Sequence, residues 1–119
     1  MKEYTRRAIA YIIYRIITGN EIFQIYDYSL SRKFQYTGKV TLSSVSIFDP
    51  EQKSSITGSE KASLYILHRD NEKYIDFTIR ENNFQGYDYE SHKPFSGMLK
   101  GNLISIYDPE YSRSFDYSL

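Results

Sequence analysis

Asp88, Glu90 and His92 stand at i, i+2 and i+4, and on an extended strand all three would project from one face. Two carboxylates and an imidazole so placed are weak candidates for a metal site, holding a divalent cation with positions left open for water. A polar strand end running into the loop before Pro94 is the simpler account. His68, Asp70 and Glu72 show the same spacing reversed, but Arg69-Asp70-Asn71-Glu72 reads as a turn, which destroys a shared face. Asp49 with Glu51 and Asp108 with Glu110 flank a proline. That is type I turn chemistry, whereas an acid–base carboxylate needs a desolvated pocket. Phosphate-loop, dinucleotide, nucleophile-elbow, zinc-protease and EF-hand signatures are all missing. The chain is therefore read as a non-enzyme with no catalytic residue, no metal and no cofactor.

Four aromatic positions carry contact chemistry. Tyr26 and Tyr28 flank Asp27 as Tyr87 and Tyr89 flank Asp88. Exposed aromatics on a sheet can stack single-stranded bases, but Asp27, Asp88 and Glu90 interleave here and would repel phosphate. Equal numbers of basic and acidic residues, 15 each, also lack the basic excess that phosphate binding calls for. The four tyrosines are read instead as a possible protein-interaction surface, since tyrosine offers rigid amphipathic contact area. Thirteen tyrosines and seven phenylalanines are more aromatic side chains than one core needs, and zero net charge removes repulsion between copies. A protein partner, or self-association as a homodimer, is expected.

The 119 residues suit one domain, 1–119, because single domains typically run ~100–200 residues. The lack of cysteine excludes disulfides, cysteine-ligated zinc and thiol catalysis, and suits a cytoplasmic setting.

Ile9, Ile12, Ile13, Ile16 and Ile17 fall on one helical face. With Gly19-Asn20 as a terminator they predict a helix from about 3 to 18. Lys2, Arg6, Arg7, Arg15 and Tyr14 lie off the stripe, so Tyr14 is expected to tolerate substitution better than Ile13. Residues 1–20 carry +3, four cations against one anion, leaving −3 for the rest. The apolar run from Ala8 to Ile17 is interrupted by Arg15 and falls short of the ~20 residues a membrane span requires.

The remainder, about 21–119, reads as antiparallel strands. Phe34 to Leu42 alternates as one strand, then Ser43-Ser44 reverses the parity as a bulge or tight turn. Ile75, Phe77 and Ile79 form a second clean case, paired as a hairpin with Leu64 to His68. Further strands run through Phe95 to Leu99, Leu103 to Tyr107 and Phe115 to Leu119, while 51–62 is the most loop-like stretch. Segments 24–51 and 85–110 resemble each other: Gly38 to Glu51 aligns without gaps on Gly97 to Glu110, and Gln24 to Tyr28 echoes Gln85 to Tyr89 after a two-residue slip. Duplication and convergent turn chemistry both explain that. The expected architecture is α+β, one amphipathic helix packed on a curled antiparallel sheet of about seven to nine strands, or a small barrel. The expected function is a non-enzymatic interaction or accessory domain. The alternative is a small barrel whose mouth holds an apolar or amphipathic small molecule.

Overall fold

Helix α1 spans Glu3–Thr18, as the isoleucine spacing predicts. It stops at Gly19, whose left-handed backbone (φ 71°) lets its N–H donate to the Arg15 carbonyl. Ile9, Ile12 and Ile13 are buried, and Ile16 and Ile17 pack partly buried against the core. The opposite face is buried too: Thr5, Arg6, Arg7, Tyr11, Tyr14 and Arg15 all lie inside. A helix lying on one sheet face keeps a polar side in water, and this one does not. Tyr14 retains 4% exposure, so it is no more a surface position than Ile13.

The reason is the sheet. The computed structural model describes residues 1–60, 64–68 and 73–119. Eleven strands follow the helix: β1 (Gln24–Asp27), β2 (Arg32–Gln35), β3 (Thr37–Val40), β4 (Ser44–Asp49), β5 (Ser54–Glu60), β6 (Leu64–His68), β7 (Lys73–Arg80), β8 (Asn83–Asp88), β9 (Lys93–Lys100), β10 (Leu103–Asp108) and β11 (Arg113–Ser118). All pairings are antiparallel, in the order β2-β1-β11-β10-β9-β8-β7-β6-β5-β4-β3. Laid flat, eleven strands would be roughly 48 Å across, yet the longest extent of the chain is 29 Å. The sheet must therefore curl, and α1 occupies its concave side. It is not closed into a barrel. The two edge strands, β2 and β3, share no ladder although only Tyr36 separates them in the chain.

Four hairpins share one construction. Asp27, Asp49, Asp88 and Asp108 each end a strand and sit opposite the residue five positions later. Each Oδ1 accepts the N–H two residues on, from Ser29, Glu51, Glu90 and Glu110 at 2.9–3.1 Å. The fourth loop residue is left-handed in every case: Ser31, Lys53, His92 and Ser112. The aspartate side chain closes the start of each loop, while a non-glycine residue takes the left-handed position.

Two glycines on the concave face are required by packing. An added Cβ at Gly97 would lie 2.1 Å from the Ser105 carbonyl oxygen and against the Phe84 ring, and Gly86 meets Asp76 and Phe95 in the same way. Since Gly86 pairs with Phe95 and Gly97 with Phe84, each ring covers a bare backbone across the ladder.

Several expectations change. The strands exceed seven to nine because β1, β2 and β3, four residues each, are too short to display a period. Phe34 to Leu42 is not one strand but β2 and β3 broken at Tyr36, and Leu42 is exposed. Residues 54–60, expected to be loop, form β5: its inward positions begin with Ser54 and Ile56, a weak apolar signal, and pairing on both sides by β4 and β6 makes the strand. Ser43-Ser44 is a tight turn, in which the Thr41 N–H donates to the Ser44 carbonyl.

Candidate functional site

Two regions concentrate polar and aromatic side chains. The first is inside. All four hairpin aspartates are buried, and α1 brings two consecutive arginines to two of them. Arg7 Nη1 donates to Asp27 Oδ2 at 3.3 Å, while its guanidinium lies 3.5 Å over the Phe34 ring, with Arg32 4.2 Å from the same ring. Arg6 Nη1 donates to Asp108 Oδ2 at 2.8 Å and Arg6 Nε to the Tyr117 hydroxyl at 3.0 Å. Arg6 stacks 3.4 Å over Phe115, with Arg113 4.4 Å from that ring. Thus β1–β2 and β10–β11 repeat one unit, an aspartate, an arginine five residues on and a phenylalanine two further, each completed by a helix arginine. The Met1 ammonium joins Asp108 and Glu110. Asp49 and Asp88 receive no helix arginine, and among the described residues Oδ2 of each has no hydrogen-bond partner. Burial pushes the hydroxyls of Tyr36 and Tyr117 well above the usual tyrosine range, against the opposing pull of Arg7 and Arg6 respectively.

This cluster is built for packing, with its paired charges desolvated together. Sequence reasoning placed the aspartates in turns and on strands and the arginines outside the stripe, without joining them. The available signal was the recurrence of Asp before a four-residue loop.

The second region is the convex face. The residue before each of the four aspartates points outward and is aromatic: Tyr26, Phe48, Tyr87 and Tyr107. Tyr26 and Tyr28 meet edge to face at 4.9 Å, and Tyr87 and Tyr89 at 4.8 Å. The two pairs do not form one surface. Strands β11, β10 and β9 separate β1 from β8, roughly 19 Å along the sheet. Tyr28 accepts a hydrogen bond from Ser118 Oγ at 3.1 Å. Around the second pair more aromatic surface gathers: Tyr74 and Tyr107 are exposed, Tyr89 donates to Asp76 Oδ2 at 2.9 Å, and Pro94 sits across the ladder from Tyr87. Between them a shallow cleft of about 420 Å³ is lined by Asp76, Thr78, Gln85, Pro94, Ser96 and Pro109 among others.

Asp88, Glu90 and His92 do not share a strand face. β8 ends at Asp88, which turns inward; Glu90 lies in the loop 3.3 Å from Lys2 Nζ; His92 takes the left-handed loop position, exposed. The alternation assumed for them stops where the ladder stops. Among the described residues no group of three or more His, Cys, Asp or Glu could hold a metal ion. Asp70 and Glu72 lie outside the described residues, as does the side chain of His68. Among the described residues no helix is long and apolar enough to cross a membrane.

No family model, curated protein or solved structure matches this chain.

Proposed function

We propose that this domain acts by binding protein, without catalysis, through the tyrosine face over β7–β10. The observation that carries this reading is that Tyr74, Tyr87, Tyr89 and Tyr107 stand on or beside neighbouring strands next to residues such as Asp76, Pro94 and Ser96, which line a shallow cleft that the tyrosines themselves do not line. Rigid aromatic surface beside a few polar groups is the composition of interface cores. Oδ1 of each buried hairpin aspartate accepts a loop amide, and Asp27 and Asp108 also meet helix arginines. The reading with a ligand inside a barrel is less favoured, since α1 fills the concave side where that ligand would sit. The lack of cysteine suits a cytoplasmic setting for such an interaction.

The partner is a second copy or another protein of the same cell. Sedimentation at micromolar concentration tests the first and affinity capture the second, each repeated with Tyr74→Ala/Tyr89→Ala/Tyr107→Ala. These side chains are exposed, so the variant should fold and lose the complex. A complex that survives the triple substitution would remove this face from consideration, and a strict monomer that captures nothing would remove the reading.

A further inference from the structure

We propose that the seam between β2 and β3 holds a binding site for a small amphipathic carboxylate, with Arg15 as its counter-charge. The site is separate from the tyrosine face and does not depend on it. Three arginines of α1 are buried. Arg6 and Arg7 each meet a carboxylate. Arg15 meets none among the described residues: Nη1 donates to the Tyr11 hydroxyl at 3.1 Å and the Gly38 carbonyl at 3.2 Å, and Nε has no partner. A buried guanidinium with only neutral acceptors carries an unmet charge. The helix C-terminus beside it supplies no more than a fraction of one.

Arg15 does not itself line the neighbouring cleft but contacts residues at its edge. Its guanidinium is 5.8 Å from the Phe23 ring, and the carbonyl it binds belongs to the residue after Thr37. Phe23 and Thr37 both line a cavity of about 440 Å³ at the seam, with Ile22, Tyr36 and Pro50 as apolar walls and Gln24 and Gln35 as polar ones. That volume is within the range of small-molecule sites. Phe23 is 53% exposed and its ring centroid lies 5.8 Å from the buried Arg15 guanidinium, so the proposed site requires that ring to turn aside. Asp49, next in the chain to Pro50, is turned to the loop amides of Glu51 and Gln52. An apolar body against Ile22, Tyr36 and Pro50 with one carboxylate on Arg15 satisfies both halves of the cleft.

Octanoate, octanol and octylamine share a chain and differ in the head group, so they separate charge recognition from greasy binding. With the full chain and each probe below its micelle concentration, octanoate should raise Tm saturably, while octanol and octylamine should not. Arg15→Gln should weaken the apparent octanoate affinity about tenfold or more, the usual cost of losing a charged hydrogen bond. Should Arg15→Gln fail to fold, Thr37→Glu decides: it places a like charge at an exposed position of the cleft and should weaken octanoate to the same degree. No shift with octanoate, an equal shift with octanol, or a shift that survives in the deciding variant would overturn the proposal.

Discussion

Replacing one buried oxygen separates the ion-pairing aspartates from those that only shape a turn. Asn keeps the Oδ1 acceptor of Asp and exchanges Oδ2 for an amide. In Asp27→Asn the loop bonds from the Ser29 N–H and hydroxyl survive, at 2.9 and 2.7 Å, but Arg7 loses its carboxylate with both groups 1% exposed. Removing one partner of a buried pair typically costs about 3–5 kcal/mol, because the other charge is stranded. In Asp49→Asn the bonds from Glu51 and Gln52 also survive, but the lost oxygen has no hydrogen-bond partner among the described residues. Its stability should stay within about 1 kcal/mol of the parent. A domain of this size typically holds about 5–15 kcal/mol, so Asp27→Asn should consume a large share and Asp49→Asn little. Urea unfolding followed by far-UV dichroism reads the difference as a midpoint drop of roughly 1–3 M against a few tenths. Equal losses would refute the reasoning, since both aspartates would then act through their loops alone. The double variant Arg7→Met/Asp27→Asn should lose less than the sum of its singles.

Alkaline pH should unfold the protein through its buried tyrosines. The hydroxyls of Tyr36 and Tyr117 are raised by burial, so above about pH 10 the unfolded chain releases protons that the folded chain keeps. Stability from this source is complete below pH 10 and falls as pH rises beyond it; urea midpoints from pH 8 to 11 check this, and Tyr36→Phe should flatten the decline. Ile13→Asp and Tyr14→Asp should both destabilise severely, by about 3 kcal/mol or more, because α1 has no solvent side between Thr5 and Arg15; a mild effect of Tyr14→Asp in thermal melts would argue against the enclosed helix. Gly97→Ala should cost well over the roughly 1 kcal/mol of an ordinary glycine exchange, since its methyl meets the Ser105 carbonyl at 2.1 Å, and Gly19→Ala, which meets nothing within 4 Å and bears only the strain of a left-handed backbone (φ 71°), should cost about that 1 kcal/mol.

Periodicity revealed what is local. The 3.6-residue stripe located α1 to the residue, and the alternation of Ile75, Phe77 and Ile79 located β7, because burial of one face repeats within each element. The same logic misjudged Tyr14 and left Arg6 and Arg7 off the stripe without a partner, since a stripe says which face is apolar and not whether the other meets water. Here the other face meets Asp27, Asp108 and Tyr36, residues 20 to 102 positions away from the arginines they surround. Nor did the hairpins announce themselves. Their left-handed positions hold Ser31, Lys53, His92 and Ser112, and without glycine there the aspartate is the main turn marker. The metal candidates failed for this reason: Asp88 looked like the start of a polar face and is the last inward residue before a loop.

The partial likeness of 24–51 to 85–110 bears directly on why the sheet stays open. Gly38 pairs with Ile47 as Gly97 pairs with Ile106, and a methyl at either glycine would strike the carbonyl of the matching serine, Ser46 or Ser105, at 2.1 Å. The two segments are thus equivalent in register as well as in letters. Yet Gly38 follows Asp27 by eleven positions, and Gly97 follows Asp88 by nine. In the shorter segment β9 runs unbroken and pairs with β8 on one side and β10 on the other. In the longer one the same stretch divides at Tyr36 into β2, which pairs only with β1, and β3, which pairs only with β4. Two extra residues offset the pairing of the second half from that of the first, and the strand breaks at Tyr36 between them. The slip in the alignment and the seam in the sheet therefore fall in the same segment. Tyr36 sits at the break, stacked on Tyr11 of the helix at 4.5 Å, and a two-residue deletion between Asp27 and Gly38 would be expected to join β2 and β3 into one strand.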